Sequence, residues 1–341
     1  MLSRIRDGAR RLASAVDSRI LPATSAARPA LNRVATGAYT AYYLGRRIKM
    51  FRRIHRTDPG LFQPVGPVKV LKRPLPAPVA DALMYATIAS DVAFTLGVKH
   101  KVTGPLHAAL LTWSLSYRNS WSMIFHSDNN LVLHTIVLGA TPSADAVSVD
   151  ALLARRSASV VPSPSVRALP ARVIPARVLP ERMVPARPRP AVSTAPAPSW
   201  RYAAPVRGMQ AVTAVNYFLA GYAKVTGPLG WRWADGEVLR RQIAADGLRK
   251  ELLGSEAAGL GIRLYDQTFL FKVSAAGSLV LELAAPLALL DRRLARLWAV
   301  SAFSMHWGIK AIMGITFRHN LSGVLYLPYF PLEKLLPARM R

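Results

Sequence analysis

Long apolar stretches separated by short charged turns dominate the hydrophobic pattern of this chain. A helix needs about 20 mostly apolar residues to cross a hydrocarbon core. Val79–Val98 meets that length behind Pro74, Pro76 and Pro78. Gly104–Phe125 follows a Lys99-His100-Lys101 turn, and Met209–Val225 and Thr268–Leu290 are further spans. Leu294–Phe317 comes after the basic turn Asp291-Arg292-Arg293, while Leu131–Ala140 and Asn320–Leu332 are apolar but short. A strand with a free edge leaves its backbone unsatisfied in lipid, so every span should be helical. The pattern predicts an all-α fold, a polytopic integral membrane helical bundle of about six to seven spans.

Two segments depart from this pattern. In the first, Leu2, Ile5, Ala9, Leu12, Val16 and Ile20 recur at helical spacing among arginines, as in a helix lying on an anionic surface. Tyr39, Tyr42, Tyr43, Met50, Phe51 and Ile54 then alternate with Arg46, Arg47, Lys49, Arg52 and Arg53, a mixture suited to a membrane interface or to a solvated basic arm. The second segment contains RALPARVIPARVLPERMVPARPRPA, from Arg167 to Ala191. Proline every fifth residue excludes helix and leaves an extended or disordered tract. Such a tract serves as a lipid tether, a docking segment or a spacer. The chain thus divides into a basic amphipathic region (1–74), a first half-bundle (75–150), an Arg/Pro-rich loop (151–207) and a second half-bundle (208–341).

Charge sharpens this reading. Lys and Arg number 45 against 18 Asp and Glu, for a net charge of +27, yet apolar residues make up 51%. A disordered polycation is not half apolar. A nucleic-acid binder carries its charge on an ordinary polar surface, so nucleic acid is not an expected partner. The chain has no cysteine, which excludes disulfides, thiolate metal ligands and thiol nucleophiles. Basic residues beside spans mark the cytoplasmic side and attract anionic lipids. With the N-terminus cytoplasmic, the Lys99 turn lies outside, and Arg118, Arg292, Arg293 and Arg296 lie inside. The Leu131 segment decides the side of the Arg-rich loop.

Ionisable groups inside spans are costly and mark functional candidates. His126, Asn130 and His134 share one face of a helix, with Asp128 close by; Asn216, Tyr217, Gly221 and Lys224 sit on the Met209 span. The Thr268 span carries Lys272 and Glu282, and the Leu294 span carries His306 and Lys310. No HExxH-like spacing supports a metal site. Lys224 has two readings. Buried and neutral, its amine is a general base; otherwise it snorkels to the headgroups.

The stretches NSWSMIFHSDNNLVLHTIVLGATPSADAVSVDA, NYFLAGYAKVTGPLGWRWADGEVLRRQIAADGLRKELLG and HWGIKAIMGITFRHNLSGVLYLPYF resemble the horizontally transferred transmembrane (HTTM) family. That family is the bacterial relative of the membrane domain of vitamin K-dependent gamma-carboxylase. The likeness covers roughly residues 79–150 and 205–333. It implies a multi-pass protein of the bacterial cell membrane and carboxylase-like chemistry on a reduced quinone. The family's catalytic lysine closes a YF-x-AG-x-x-K pattern, matched here by Tyr217 to Lys224, so the resemblance makes Lys224 the catalytic base. It adds His306 as a proton relay, with His126, Asp128, Asn130, His134, Asn216 and Tyr217 lining the pocket. The family's Lys-Lys pair is Ala223-Lys224 here, and few residues follow Leu332. Carboxylation of a peptidyl glutamate is therefore not implied, while modification of a peptide or small substrate is. The competing expectation is a non-enzymatic scaffold whose polar groups tie helices together and whose basic arms recruit anionic lipid or a protein partner.

Overall fold

The computed structural model describes residues 20–160, 196–255 and 259–337. Among these the chain is all-α, with a single isolated β-bridge between Thr24 and Ser199. The longer helices are α1 (Ala27–Gly45), α2 (Ala77–Leu96), α3 (His100–Asn119), α4 (His126–Gly139), α5 (Val149–Val160), α6 (Trp200–Thr226), α7 (Glu237–Leu252), α8 (Thr268–Leu283) and α9 (Arg292–Met313). Local chemistry fixes several ends. Proline in the first turn of α2 has the φ a helix requires, and Gly97, at φ 65°, takes the left-handed conformation that stops it. The Asp291 carboxylate caps α9 by accepting from the amides of Arg293 and Leu294, and Gly314 at φ 66° ends it.

Helices α1, α2, α3, α4, α6, α8 and α9 run alternately between two ends of the bundle. At one end Arg33 of α1 meets the Phe94 and Thr95 carbonyls of α2, His100 meets Leu138 O, and Arg207 meets Leu289 O. At the other, His55 meets Asp81, and Arg118 meets Asp128. The backbones of α3 and α4 touch where Gly104 faces Gly139. A Cβ on either would lie 2.6 Å from the other's carbonyl oxygen, so this crossing requires glycine on both sides.

The core is built of apolar clusters with many polar side chains among them, and large apolar side chains also lie exposed. Arg33, Asp91, His107, Asp128, His134, Gln210 and Asn320 are buried, while Val92, Leu106, Val215, Val280 and Val300 are exposed, with Phe269 77% and Leu297 65% exposed. One helix among the described residues, Ala77–Leu96, is long and apolar enough to cross a membrane by length and composition. The other predicted spans form helices too, but α8 has 16 residues, and α3, α6 and α9 carry basic residues in their end turns.

Four expectations change. Residues 27–45, read as part of the basic surface region, form α1 in the middle of the bundle, where Tyr39, Tyr43 and the polar Asn32, Thr36 and Thr40 are buried. Their aromatic–basic pattern misled because α1 buries polar atoms and needs no apolar stripe. The 131–140 segment is the core of α4, which runs from one end of the bundle to the other. The Asn320–Leu332 segment is a short turn followed by the 3-10 stretch Val324–Tyr329. Finally, the Lys99 and Arg292 turns share one end, contrary to the sidedness predicted. Basic residues occupy both ends, so charge alone does not orient the chain. The N-terminal amphipathic helix and the proline pentads lie outside the described residues.

Candidate functional site

A partly open cavity of about 1200 Å³ lies between α6, α8, α9 and the start of α4. Four features of the sequence create it. Asn216, Tyr217, Ala220 and Lys224 fall within one side of α6, since residues three and four apart stack along a helix. Gly221 lets α8 approach, because a Cβ there would lie 2.9 Å from Glu282 Cβ. The 3-10 turn Gly230–Asp235 brings Trp233 over the end of α6. Trp298 and His306, on α9, close the far wall.

Its polar groups form three sets. Lys224 Nζ is 2.6 Å from both carboxylate oxygens of Glu282 and 4.2 Å from the Trp233 ring centroid. The lysine side chain is 25% exposed, against 10% for the glutamate. Asn216 Nδ2 donates to Asn130 Oδ1 across α6 and α4. Deeper in, Asn320 Nδ2 donates to the Tyr217 hydroxyl at 2.8 Å, and that hydroxyl is 2.6 Å from the Tyr326 hydroxyl. His306 Nδ1 lies 2.8 Å from Ala302 O, so its N–H donates there and Nε2 keeps the lone pair. The remaining wall is mainly apolar. Val280, Leu294 and Leu297 line the cavity and keep much of their surface uncovered.

The predicted site residues divide. Lys224, His306, Asn130, Asn216 and Tyr217 all line this cavity. Asp128 and His134 do not. Asp128 is buried against Arg118 and the Tyr43 hydroxyl, and His134 Nε2 bonds Thr213 Oγ1 at 2.8 Å. Both turn from the cavity toward neighbouring helices because α4 is wedged between α1, α3 and α6. His126 opens α4, and its side chain lies outside the described residues. Glu282 is the partner that Lys224 lacked in the sequence reading. Its signal was present as a lone carboxylate in an apolar stretch, with nothing to show that α8 would bring it to Lys224. Among the described residues no three His, Asp or Glu side chains gather to hold a metal ion.

Outside the bundle core, α7 covers the Lys224 end of the cavity with Leu239 and Gln242. Glu237 in its first turn is held below the usual carboxylate range by hydrogen bonds from Arg240 and Arg241. Lys250, hydrogen-bonded to Asp246, lowers that carboxylate in the same way. Both pairs lie one turn apart along the helix and steady it. Compared with protein families, curated proteins and solved structures, the chain matches none.

Proposed function

We propose that this chain is a multi-pass protein of the bacterial cell membrane that binds a reduced quinone between α6, α8 and α9. The observation that carries the reading is the cavity itself, which is partly open, mainly apolar in its lining, and faced by a lysine–glutamate pair. The large apolar side chains exposed on the bundle support a membrane setting, since they are favourable in lipid, and buried groups such as Arg33 and Asp128 are hydrogen-bonded within the protein. The walls fit the proposed ligand, since a lipid-soluble molecule with a polar ring needs apolar sides and a few converging polar groups. Lys224, Asn216 and Tyr217 would hold the ring, and the apolar part of the cavity would take the tail. A reduced quinone supplies an acidic hydroxyl and two electrons.

The protein's own contribution is proton handling. With Nζ 2.6 Å from both Glu282 oxygens, the pair accepts one proton in either of two ways. A Glu282 oxygen takes it directly, or Lys224 first passes its proton to Glu282 and then accepts the new one at Nζ. Either route raises the charge of the pair by one. Trp233 offers its ring face to the Lys224 cation. His306 Nε2 is a second acceptor deeper in the same cavity. The resemblance to the HTTM family remains a proposal, supported by Lys224 and Tyr217 facing one cavity. Modification of a peptide or small substrate follows from that resemblance.

The test is oxidation of a short-chain hydroquinone by dissolved oxygen in the presence of the purified protein, followed as quinone formed and oxygen consumed. Glu282→Gln and Lys224→Ala are each expected to lower the rate by roughly 10²-fold or more while the bundle stays folded. Unchanged rates in both variants would remove the pair from the chemistry. The scaffold reading draws on one specific observation, that Asp128 and His134 join helices. It predicts that neither substitution matters and that no hydroquinone is oxidised.

A further inference from the structure

Helix α2 carries two carboxylates ten residues apart, about 15 Å along a helix, and each faces an imidazole. Near the start of α2, His55 Nδ1 is 2.7 Å from Asp81 Oδ1. Arg56 and Arg52 hold the other Asp81 oxygen at 2.7 and 3.3 Å, and both arginines reach solvent. Deep in the bundle, His107 Nε2 is 3.1 Å from Asp91 Oδ1, with both side chains completely buried. Apart from that contact, neither Asp91 oxygen has a hydrogen-bond partner among the described residues. His107 Nδ1 is 3.0 Å from Ser90 Oγ.

Hydroxyls occupy the space between the pairs. Thr87 Oγ1 and Ser114 Oγ are 2.7 Å apart. Ser114 and His55 both border a cavity of about 10 Å³, close to the space one water needs. Ser90 lies one turn from Thr87 on the same side of α2 and donates to the Thr87 carbonyl at 2.8 Å. The proposed ligand chemistry uses none of these residues.

We propose that Asp91 and His107 form an internal proton-binding site, loaded from the His55–Asp81 end through Ser114, Thr87 and Ser90. Each hydroxyl both donates and accepts, and an imidazole passes a proton between its two nitrogens. One proton enters at His55, a water seated in the small cavity passes one to Ser114, each hydroxyl and His107 hands on its own in turn, and the last rests on the Asp91 carboxylate. Only O–H and N–H bonds form and break, and nothing is oxidised. The charged groups around the path are few. From α3, His107 faces Asp91. From α1, Arg33 binds the Phe94 and Thr95 carbonyls one turn further along. At Asp81 stand His55, Arg52 and Arg56, with the Tyr117 ring edge-on to His55 at 5.6 Å.

A pair that only ties α2 to α3 would keep Asp91 in one state, whereas a loaded site changes state when the pH outside changes. The experiment is infrared spectroscopy of the full chain in lipid nanodiscs after a pH jump, following the C=O stretch of a protonated carboxyl. A band that grows as pH falls and is absent in Asp91→Asn is expected. Thr87→Val and Ser114→Ala should reach the same end point roughly tenfold more slowly or worse. These two variants leave Asp91 in place, so they decide the matter even if Asp91→Asn does not fold. The proposal is overturned if no such band responds to pH, or if both hydroxyl variants load as fast as the parent.

Discussion

The two halves of the bundle handle buried polarity differently. In the first half, α1 to α4 turn their polar groups on one another. The buried guanidinium of Arg33 donates to the carbonyls of Phe94, Thr95, Ser143 and Val147, and Asp128 is clasped by Arg118 and Tyr43. The cavity beside His55 is about 10 Å³. In the second half, α6, α8 and α9 stand apart around about 1200 Å³, and Lys224, Glu282 and Asn216 face that space. Polar groups paired between helices hold the fold together, whereas polar groups facing a cavity are within reach of a ligand. On the proposed function, the first half is chiefly frame, with one internal proton site, and the second half carries the ligand site.

The strongest way to break this contrast is to remove a lock. Arg33→Met should destabilise the bundle by about 3–5 kcal/mol, because four buried carbonyls lose a charged donor. A denaturation midpoint in detergent that hardly moves would show that Arg33 is not the clasp inferred here. Adding side-chain volume should have opposite outcomes in the two halves. Gly104→Val drives a Cβ to 2.6 Å from Gly139 O and should cost about 1–3 kcal/mol or more. Ala220→Leu projects into the large cavity and should change stability by less than about 0.5 kcal/mol. Equal losses in the two variants would mean that the cavity is not free space.

The smallest effect concerns the α7 cover. Glu237 and Asp246 are held below their ordinary values in the folded protein, so their pairs support α7 fully above the unfolded carboxylate range. That support is lost as pH falls through the lowered values. Hydrogen exchange in α7 should therefore quicken in acid before the rest of the bundle loosens. Exchange that is flat with pH would mean that the pairs contribute nothing.

How much was legible in the sequence follows the same division. The apolar runs located α2, α3, α6, α8 and α9, but not their ends, since α6 begins nine residues before its predicted span and α8 stops seven residues short of its own. They missed α1, whose buried side is built from Asn32, Arg33, Thr36 and Thr40 and so reads as a polar segment. At the site, helical spacing put Tyr217 and Lys224 on one side of α6, and the structure keeps them there. It could not supply Glu282, because a partner 58 residues away depends on how α8 packs. Asp128 and His134 were misplaced for the converse reason. A single helix pattern shows that polar residues share a face, but not which neighbour that face meets.

The central claim is that the second half holds a lipid-soluble ligand at Lys224 and Glu282. The most direct measurement is the quinone content of the chain purified from its membrane, determined by mass spectrometry for the parent protein and for Ala220→Trp, which fills the cavity. About one quinone per chain in the parent and almost none in the variant is the predicted result. Equal quinone in both, or none in the parent even after loading with a reduced short-chain quinone, would contradict it.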